Sequence, residues 1–453
     1  MKSSKTAYSL SATIAIVVAN MIGTGIFVSL GFQLLITNDF ATIMILWIVG
    51  GLIALCGAFA YSELGSSMPK SGGEYHYLST LYHPSVGFVS GWLSSTIGFS
   101  APIALSALTF GTYIHNVFPS SSVTGLAIGI ILLVTLFNSI NHFISESFQL
   151  VFTFFKIVLI LFFIVFGFLY PPMDYLSFSP SDSTLSETFS AGFAINLVYV
   201  SFAYSGWNAS AYIASEVENP RKNLPLSIII GTTVVIALYV LLNAVFLMSA
   251  AINELMVDPN TMMPKEIGFV SAEYIFNGDV ANIISIVIGV FLISSISSMV
   301  ITGPRVIQTM LNDYPVVKKL KSKEHKLPVA AICLQSLIAI IILLSGSFDS
   351  ILTYTTFALT LFSLLSVIGV FVLRRKSNSD QNKNAYKTWG YPITPIIFIV
   401  ANVWFLYYLT KEKPQDSLIA LALISGGFIV YYLVKLKMNN QEKLMPKKKI
   451  EDE

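Results

Sequence analysis

Asn20-Met21-Ile22-Gly23-Thr24-Gly25-Ile26-Phe27 interrupts the first long apolar run of the chain. Two glycines bracket a threonine inside a helical stretch, and each glycine in a helix interior costs about 1 kcal/mol relative to alanine. In hydrocarbon an unwound turn also leaves backbone N–H and C=O groups needing partners, so such a break is tolerated where something polar fills it. Counted from Leu10 at about 1.5 Å per residue, Gly23 lies about 20 Å along the helix, well inside a membrane. The half-helix starting near Ile26 would then aim its unpaired N–H groups and positive dipole end into the protein, a seat for a carboxylate to which Thr24 adds a hydroxyl donor. A second interruption, Phe202-Ala203-Tyr204-Ser205-Gly206-Trp207-Asn208, falls in the sixth apolar run. Carbonyls freed there, around Ser201 to Gly206, would attract a cation such as an ammonium group. Either stretch alone reads equally well as a close-packing point between membrane helices. Two at matching places in two halves point instead to a zwitterion site at the bilayer midplane.

Composition sets the setting of these breaks. With 55% apolar residues, 11% charged residues and a mean hydropathy of +0.74 over 453 residues, the chain is a polytopic membrane protein. Apolar runs predict twelve spans, at about 9–35, 40–67, 84–116, 123–140, 144–170, 189–214, 224–250, 280–305, 328–346, 348–373, 391–410 and 416–434. With the N-terminus inside, 22 of the 26 Lys and Arg residues fall on the cytoplasmic side and 3 outside, which predicts cytoplasmic N- and C-termini. The first run leads straight into the Gly-Thr-Gly break without a small-residue cleavage site and is read as a retained helix. Cys56 and Cys333 lie within apolar runs and read as small buried residues. The basic tail at 435–453 is a solvated end near anionic lipid, and no nucleic-acid partner is expected. Segment 68–83 is cytoplasmic and turn-rich, 171–188 is an acidic outer loop, and 251–279 is an outer loop long enough for a short helix. Nothing else is large enough to form a separate soluble domain.

The residues also carry a resemblance. Ile22-Gly23-Thr24-Gly25-Ile26-Phe27 resembles the helix 1 signature of the amino acid, polyamine and organocation transporter superfamily. The stretch from Phe202 to Asn208, followed by Glu216-Val217-Glu218-Asn219-Pro220-Arg221-Lys222-Asn223-Leu224-Pro225, resembles helix 6 and the following loop of its L-type amino acid transporter branch and bacterial relatives. Pro69 with Ser71-Gly72-Gly73-Glu74-Tyr75-His76-Tyr77, and Thr302-Gly303-Pro304-Arg305, extend the match over residues 20–305. The resemblance implies an all-α fold of twelve transmembrane helices, with a 5+5 inverted repeat (LeuT-like) and broken helices 1 and 6. The repeats would cover about 9–170 and 189–373, with peripheral helices at about 391–434. It implies a plasma-membrane permease working by alternating access. Gly23, Thr24 and Gly25, with Ile22 beside them, would hold a substrate carboxylate, and the carbonyls of Met21, Phe202, Ala203 and Ser205 its amino group. The Phe202 ring would cover the site. Ser205 stands where many relatives have glycine, and Ser297 where the L-type branch has an asparagine facing the side chain.

Lys156 lies about 16 Å into helix 5. A lysine at that depth costs about 2.5–3.5 kcal/mol on insertion scales, so a function or a strong partner is expected. Its ammonium group is predicted to bond the unwound backbone of helix 1 and hold a gate, and it is the sequence's candidate for coupling to protons. By resemblance it is similar to the lysine that takes the place of sodium in sodium-independent members. Glu63, Glu74, Glu146 and Glu216 read as interfacial charges near the cytoplasmic face, with Glu216 and Arg305 as candidates for an inner gate. The five histidines have no metal-ligand spacing, so neither a metal nor a cofactor is expected. The expected substrate is a small to medium neutral amino acid, because helices 1, 3, 6 and 8 carry no acidic residue near the side-chain pocket. A polyamine antiporter would need mid-membrane carboxylates. An intramembrane enzyme would need a nucleophile and base pair or a metal set, and a channel would need repeated polar rings.

Overall fold

The computed structural model describes residues 8–37, 39–140, 142–170, 180, 184–188, 190–249, 266–314, 329–376 and 385–444, without the side chains of 142–149 and 440–444. The side chain of Glu146, the 251–265 part of the outer loop and the basic end of the tail lie outside what is described. Ser9 caps α1 (Leu10–Met21), accepting from the Ala12 N–H, and the helix stops at Ile22. α2 (Gly25–Leu34) starts three residues on. Asp39 caps α3 (Phe40–Ser67). α4 (Glu74–Leu81) is a short helix that precedes α5 (Pro84–Leu93). A π-turn at Ser94–Gly98 joins α5 to α6 (Ser100–Val117). α7 (Val123–Ile140) and α8 (His142–Leu169) complete the first half.

The second half begins with the one-turn α9 (Thr184–Glu187) and α10 (Ala191–Ala203). α10 breaks before α11 (Ala209–Tyr212), and α12 (Pro220–Met248) follows. α13 (Ile267–Ile275) is the short helix predicted for the outer loop, and α14 (Gly278–Asp313) the longest in the bundle. α15 (Val329–Ser345), α16 (Phe348–Lys376), α17 (Ile393–Glu412) and α18 (Pro414–Leu444) finish the chain. Among the described residues ten helical stretches are long and apolar enough to cross a membrane, with α1 and α2 counted as one. Two shorter apolar helices, α10 and α15, coincide with the sixth and ninth predicted runs. α10 is short because the break removes its second half.

α12 lies along α3 and α1, and α6 along α14, so the broken pairs α1–α2 and α10–α11 are enclosed by intact helices. Their contacts are aromatic: Trp47 of α3 packs edge-on to Tyr204 and Tyr239, and its indole donates to Gln33 Oε1 at 3.0 Å. The bundle's outer surface is covered by Leu, Phe and Ile side chains such as Leu136, Phe137 and Leu169. That surface would be a liability in water and is the expected one against lipid.

Candidate functional site

The two interruptions cross. Gly206 has φ +94°, a left-handed conformation that favours glycine, and a Cβ there would sit 2.8 Å from the Asn20 carbonyl oxygen. At the neighbouring contact, a Cβ on Gly25 would lie 2.5 Å from Ala203 Cα. The glycines that break each helix therefore also let the backbones of the two breaks touch. Beside this crossing is a cavity of about 140 Å³, walled by Asn20, Ser201, Phe202, Ser205, Gly206 and Asn208 from the breaks. Ser94, Gly98 and Pro102 line it from the third span, and Met299 and Ser363 from α14 and α16. The π-turn there has a local cause: Pro102 has no N–H for the Gly98 carbonyl, and Gly98 itself weakens the helix.

Of the predicted residues, Phe202 and Ser205 face the cavity. The Met21 carbonyl accepts Tyr239 Oη at 2.7 Å and the Gly23 N–H at 2.9 Å, and the Phe202 carbonyl accepts the Ser205 N–H at 3.0 Å. Thr24 is buried and hydrogen-bonded to Thr109 of α6. Gly23 and Gly25 sit behind the cavity wall with Thr24. Ser297 is turned from the cavity, donating to and accepting from the Asn138 side chain of α7, while Met299 takes the wall position. The reason is helical phase: two residues apart on α14 is more than half a turn.

Lys156 Nζ donates to the Ile22 carbonyl at 3.2 Å and to Ser295 Oγ at 2.7 Å, and Ser295 donates to the same carbonyl at 3.0 Å. Ile22 thus presents its carbonyl, unpaired by the helix, to a buried amine. At the end of the bundle carrying Tyr8, Arg305 pairs with Glu216 at 3.0 Å and also donates to Tyr8 Oη at 3.3 Å. Tyr8 bonds the backbone of Glu216 and Glu218, closing that end of the α1–α11 groove.

Two glutamates differ from their reading as interfacial charges. Glu63 is buried and bound in bidentate fashion by Arg374, at 2.9 and 2.7 Å, tying α3 to α16. Glu74 is 3% exposed and lines the cavity. Gly72 and Gly73, at φ +114° and +53°, carry the chain inward against Tyr212 and so deliver Glu74 to the wall. Its Oε1 accepts Tyr61 Oη at 2.5 Å, Ser363 Oγ at 2.9 Å and Asn208 Nδ2 at 3.2 Å. Burial pushes the Glu74 carboxyl up from its ordinary value, against the opposing pull of these donors. The glycine pair was the available signal in the sequence, since a turn with two positive φ angles can reverse a loop into the bundle.

A model of the amino acid permease family matches residues 8–430. The chain belongs to that family. This permease is 28% identical to the serine/threonine exchanger SteT of Bacillus subtilis over 428 residues, 93% of this chain and 95% of that one. It is 27% identical to the mouse b(0,+)-type amino acid transporter 1, over 94% of this chain and 87% of that one. The human cystine/glutamate transporter is 27% identical, over 93% and 83%. Among solved structures, the permease resembles the manganese transporter of Eremococcus coleocola with a TM-score of 0.58 and 13% identity, over 95% of this chain and 94% of that one. That likeness is one of fold, the LeuT-like all-α bundle with broken helices 1 and 6. The permease is a multi-pass membrane transporter of small molecules and not an enzyme.

Proposed function

We propose that this permease carries small to medium neutral amino acids across the plasma membrane, by exchange or with protons, through alternating access at the crossing of its two breaks. The observation that carries the reading is the direct contact of the breaks, Gly206 on Asn20 and Gly25 on Ala203, beside a cavity that both line. A zwitterion needs opposite partial charges a few ångströms apart, and a helix start facing a helix end supplies them. In this scheme Gly23, Thr24 and Gly25, with Ile22, take the carboxylate, and the carbonyls of Met21, Phe202, Ala203 and Ser205 take the amino group. Because the Gly23–Gly25 turn lies behind the wall and the Met21 carbonyl is engaged, substrate entry would shift α2 against α10. Lys156 holds the α1 break, and the backbone pairing of Tyr8 with Glu216 and Glu218, with the Arg305–Glu216 pair beside it, closes the cytoplasmic end. The twelve spans form two inverted repeats, about 9–170 and 189–373, with both termini in the cytoplasm. The relative that exchanges serine and threonine supports the neutral, small class.

The test is uptake of a labelled neutral amino acid mixture into proteoliposomes that are empty, preloaded with unlabelled amino acids, or under an inward proton gradient. Stimulation by preloading identifies exchange, and stimulation by the gradient identifies proton coupling. No uptake in any condition by folded protein would refute the reading.

A further inference from the structure

Glu74 is a carboxyl group in the wall of the cavity, and among the described residues no cation pairs with it. The groups facing it are Tyr61 from α3, Ser90 from α5, Asn208 from the second break, Tyr212 from α11 and Ser363 from α16, together with Tyr77 from its own helix. All of these are neutral side chains. Tyr61, Ser363 and Asn208 converge on one oxygen, Oε1, so that oxygen is an acceptor and carries no proton of its own. Glu74 is also the first residue of α4, where the helix dipole favours a negative charge. The structure has invested four elements in presenting a carboxylate, whereas Glu63 eleven residues earlier is answered by Arg374 within the protein. A buried anion left without a countercharge is neutralised by what enters beside it.

We propose that Glu74 is the cavity's seat for a positive charge that travels with the substrate: a proton accompanying a neutral amino acid, or the side-chain ammonium of a dibasic one. The seat deepens the transport reading and rests on it for the identity of the cargo, but not for the charge itself. Because Asn208 belongs to the second break and Ser363 to α16, neutralising Glu74 alters the hydrogen bonding that ties α4 to both. Occupancy of the seat is thereby linked to the position of the break.

The experiment compares the full-length protein with Glu74→Gln, and with Glu74→Asp should the first fold poorly. Each is reconstituted and assayed for leucine, serine and lysine uptake with and without an inward proton gradient. The readouts are ratios, independent of absolute rate. If the charge is a proton, the gradient stimulates neutral uptake by wild type and the ratio falls to about one in Glu74→Gln, while Glu74→Asp keeps a ratio above one at a shifted pH. If it is an ammonium, wild type takes lysine and the lysine-to-leucine ratio drops about tenfold or more in Glu74→Gln, the loss of one charge-assisted contact. A variant that keeps both wild-type ratios overturns the proposal. A second measurement does not need transport: infrared spectra recorded over a pH titration should show a carboxylic acid band, titrating above the ordinary carboxylate range, that Glu74→Gln lacks. Absence of uptake by wild type would refute the transport reading alone. In that case, a band unchanged by the substitution, with no difference between the two proteins in thermal stabilisation by lysine, would overturn the seat as well.

Discussion

Replacing Gly25 with alanine tests the crossing directly. The added methyl would lie 2.5 Å from Ala203 Cα, 2.8 Å from its Cβ and 3.1 Å from its N, so most of the obstruction is backbone that no rotamer change can clear. Overpacking of this kind costs about 1–3 kcal/mol. Alanine recovers only part of the roughly 1 kcal/mol helix penalty of glycine, because Gly25 is the first residue of α2. A net cost of about 1–2 kcal/mol falls on the arrangement with α2 seated on α10, and is relieved when they part. That arrangement should lose a factor of about 5–30 against the separated one. Ser29 reports on it: the side chain is 1% exposed and donates to the Tyr199 carbonyl of α10 at 3.2 Å. With Cys56 and Cys333 replaced by alanine, a cysteine at position 29 should react with a membrane-impermeant thiol reagent about 5–30 times faster in Gly25→Ala than in its parent. Gly129→Ala is the control, since a Cβ there meets nothing within 4 Å, and it should leave the rate unchanged. Labelling of the Gly25 variant within twofold of its parent, in folded protein, would refute the reasoning; that bound lies well below the range of about 5–30.

Lys156→Met keeps the apolar stem and removes the donor to Ile22 and Ser295; hydrogen bonds to charged groups are worth about 1.5–3 kcal/mol, so exchange in proteoliposomes should fall about tenfold or more. An unchanged rate and pH profile would remove Lys156 from the gate. Glu63→Gln breaks a pair whose carboxylate side chain is 1% exposed and whose Arg374 is 27% exposed, so thermal unfolding in detergent should show a loss near about 3 kcal/mol, the lower end for a buried pair. An unshifted unfolding temperature would contradict that role. Glu216→Gln should change uptake less than about fivefold, and less still at high salt, because Glu216 is 41% exposed and such pairs are worth about 0–1 kcal/mol. A collapse of uptake would mean that the ion pair, and not the Tyr8 backbone pairing beside it, holds that end closed.

The sequence made the breaks legible because glycine spacing acts locally: Gly23 and Gly25 weaken one helix whatever surrounds them. Lys156 was legible for the same reason, since its cost depends on depth, and depth follows from counting residues along a span. What the sequence could not place was anything set by phase or by loop trajectory. Ser297 and Met299 are both apolar-run residues of α14, and only the helix's rotation decides which of them reaches the cavity. Glu74 was hidden by its position after a polar turn, where a charge ordinarily belongs to water. Its burial depends on Gly72 and Gly73 adopting positive φ angles and on Tyr212, far along the chain, receiving them.

Placed together, the buried Glu74 and Lys156 form a pattern. Lys156 binds the backbone of the first break, at the Ile22 carbonyl, and Glu74 binds the side chain of Asn208 at the second. Each break thus carries one buried titratable group, and the two groups have opposite charge types. Neither bonds the other, so their cost is not cancelled within the protein as that of Glu63 and Arg374 is. Two buried titratable groups of opposite charge type, held apart across a crossing, are poorly suited to stability and fit the dipolar cargo of the proposed reading. On the proposed transport reading, the substrate's two ends and any accompanying proton would alter the same two hinges that must move for the site to change sides.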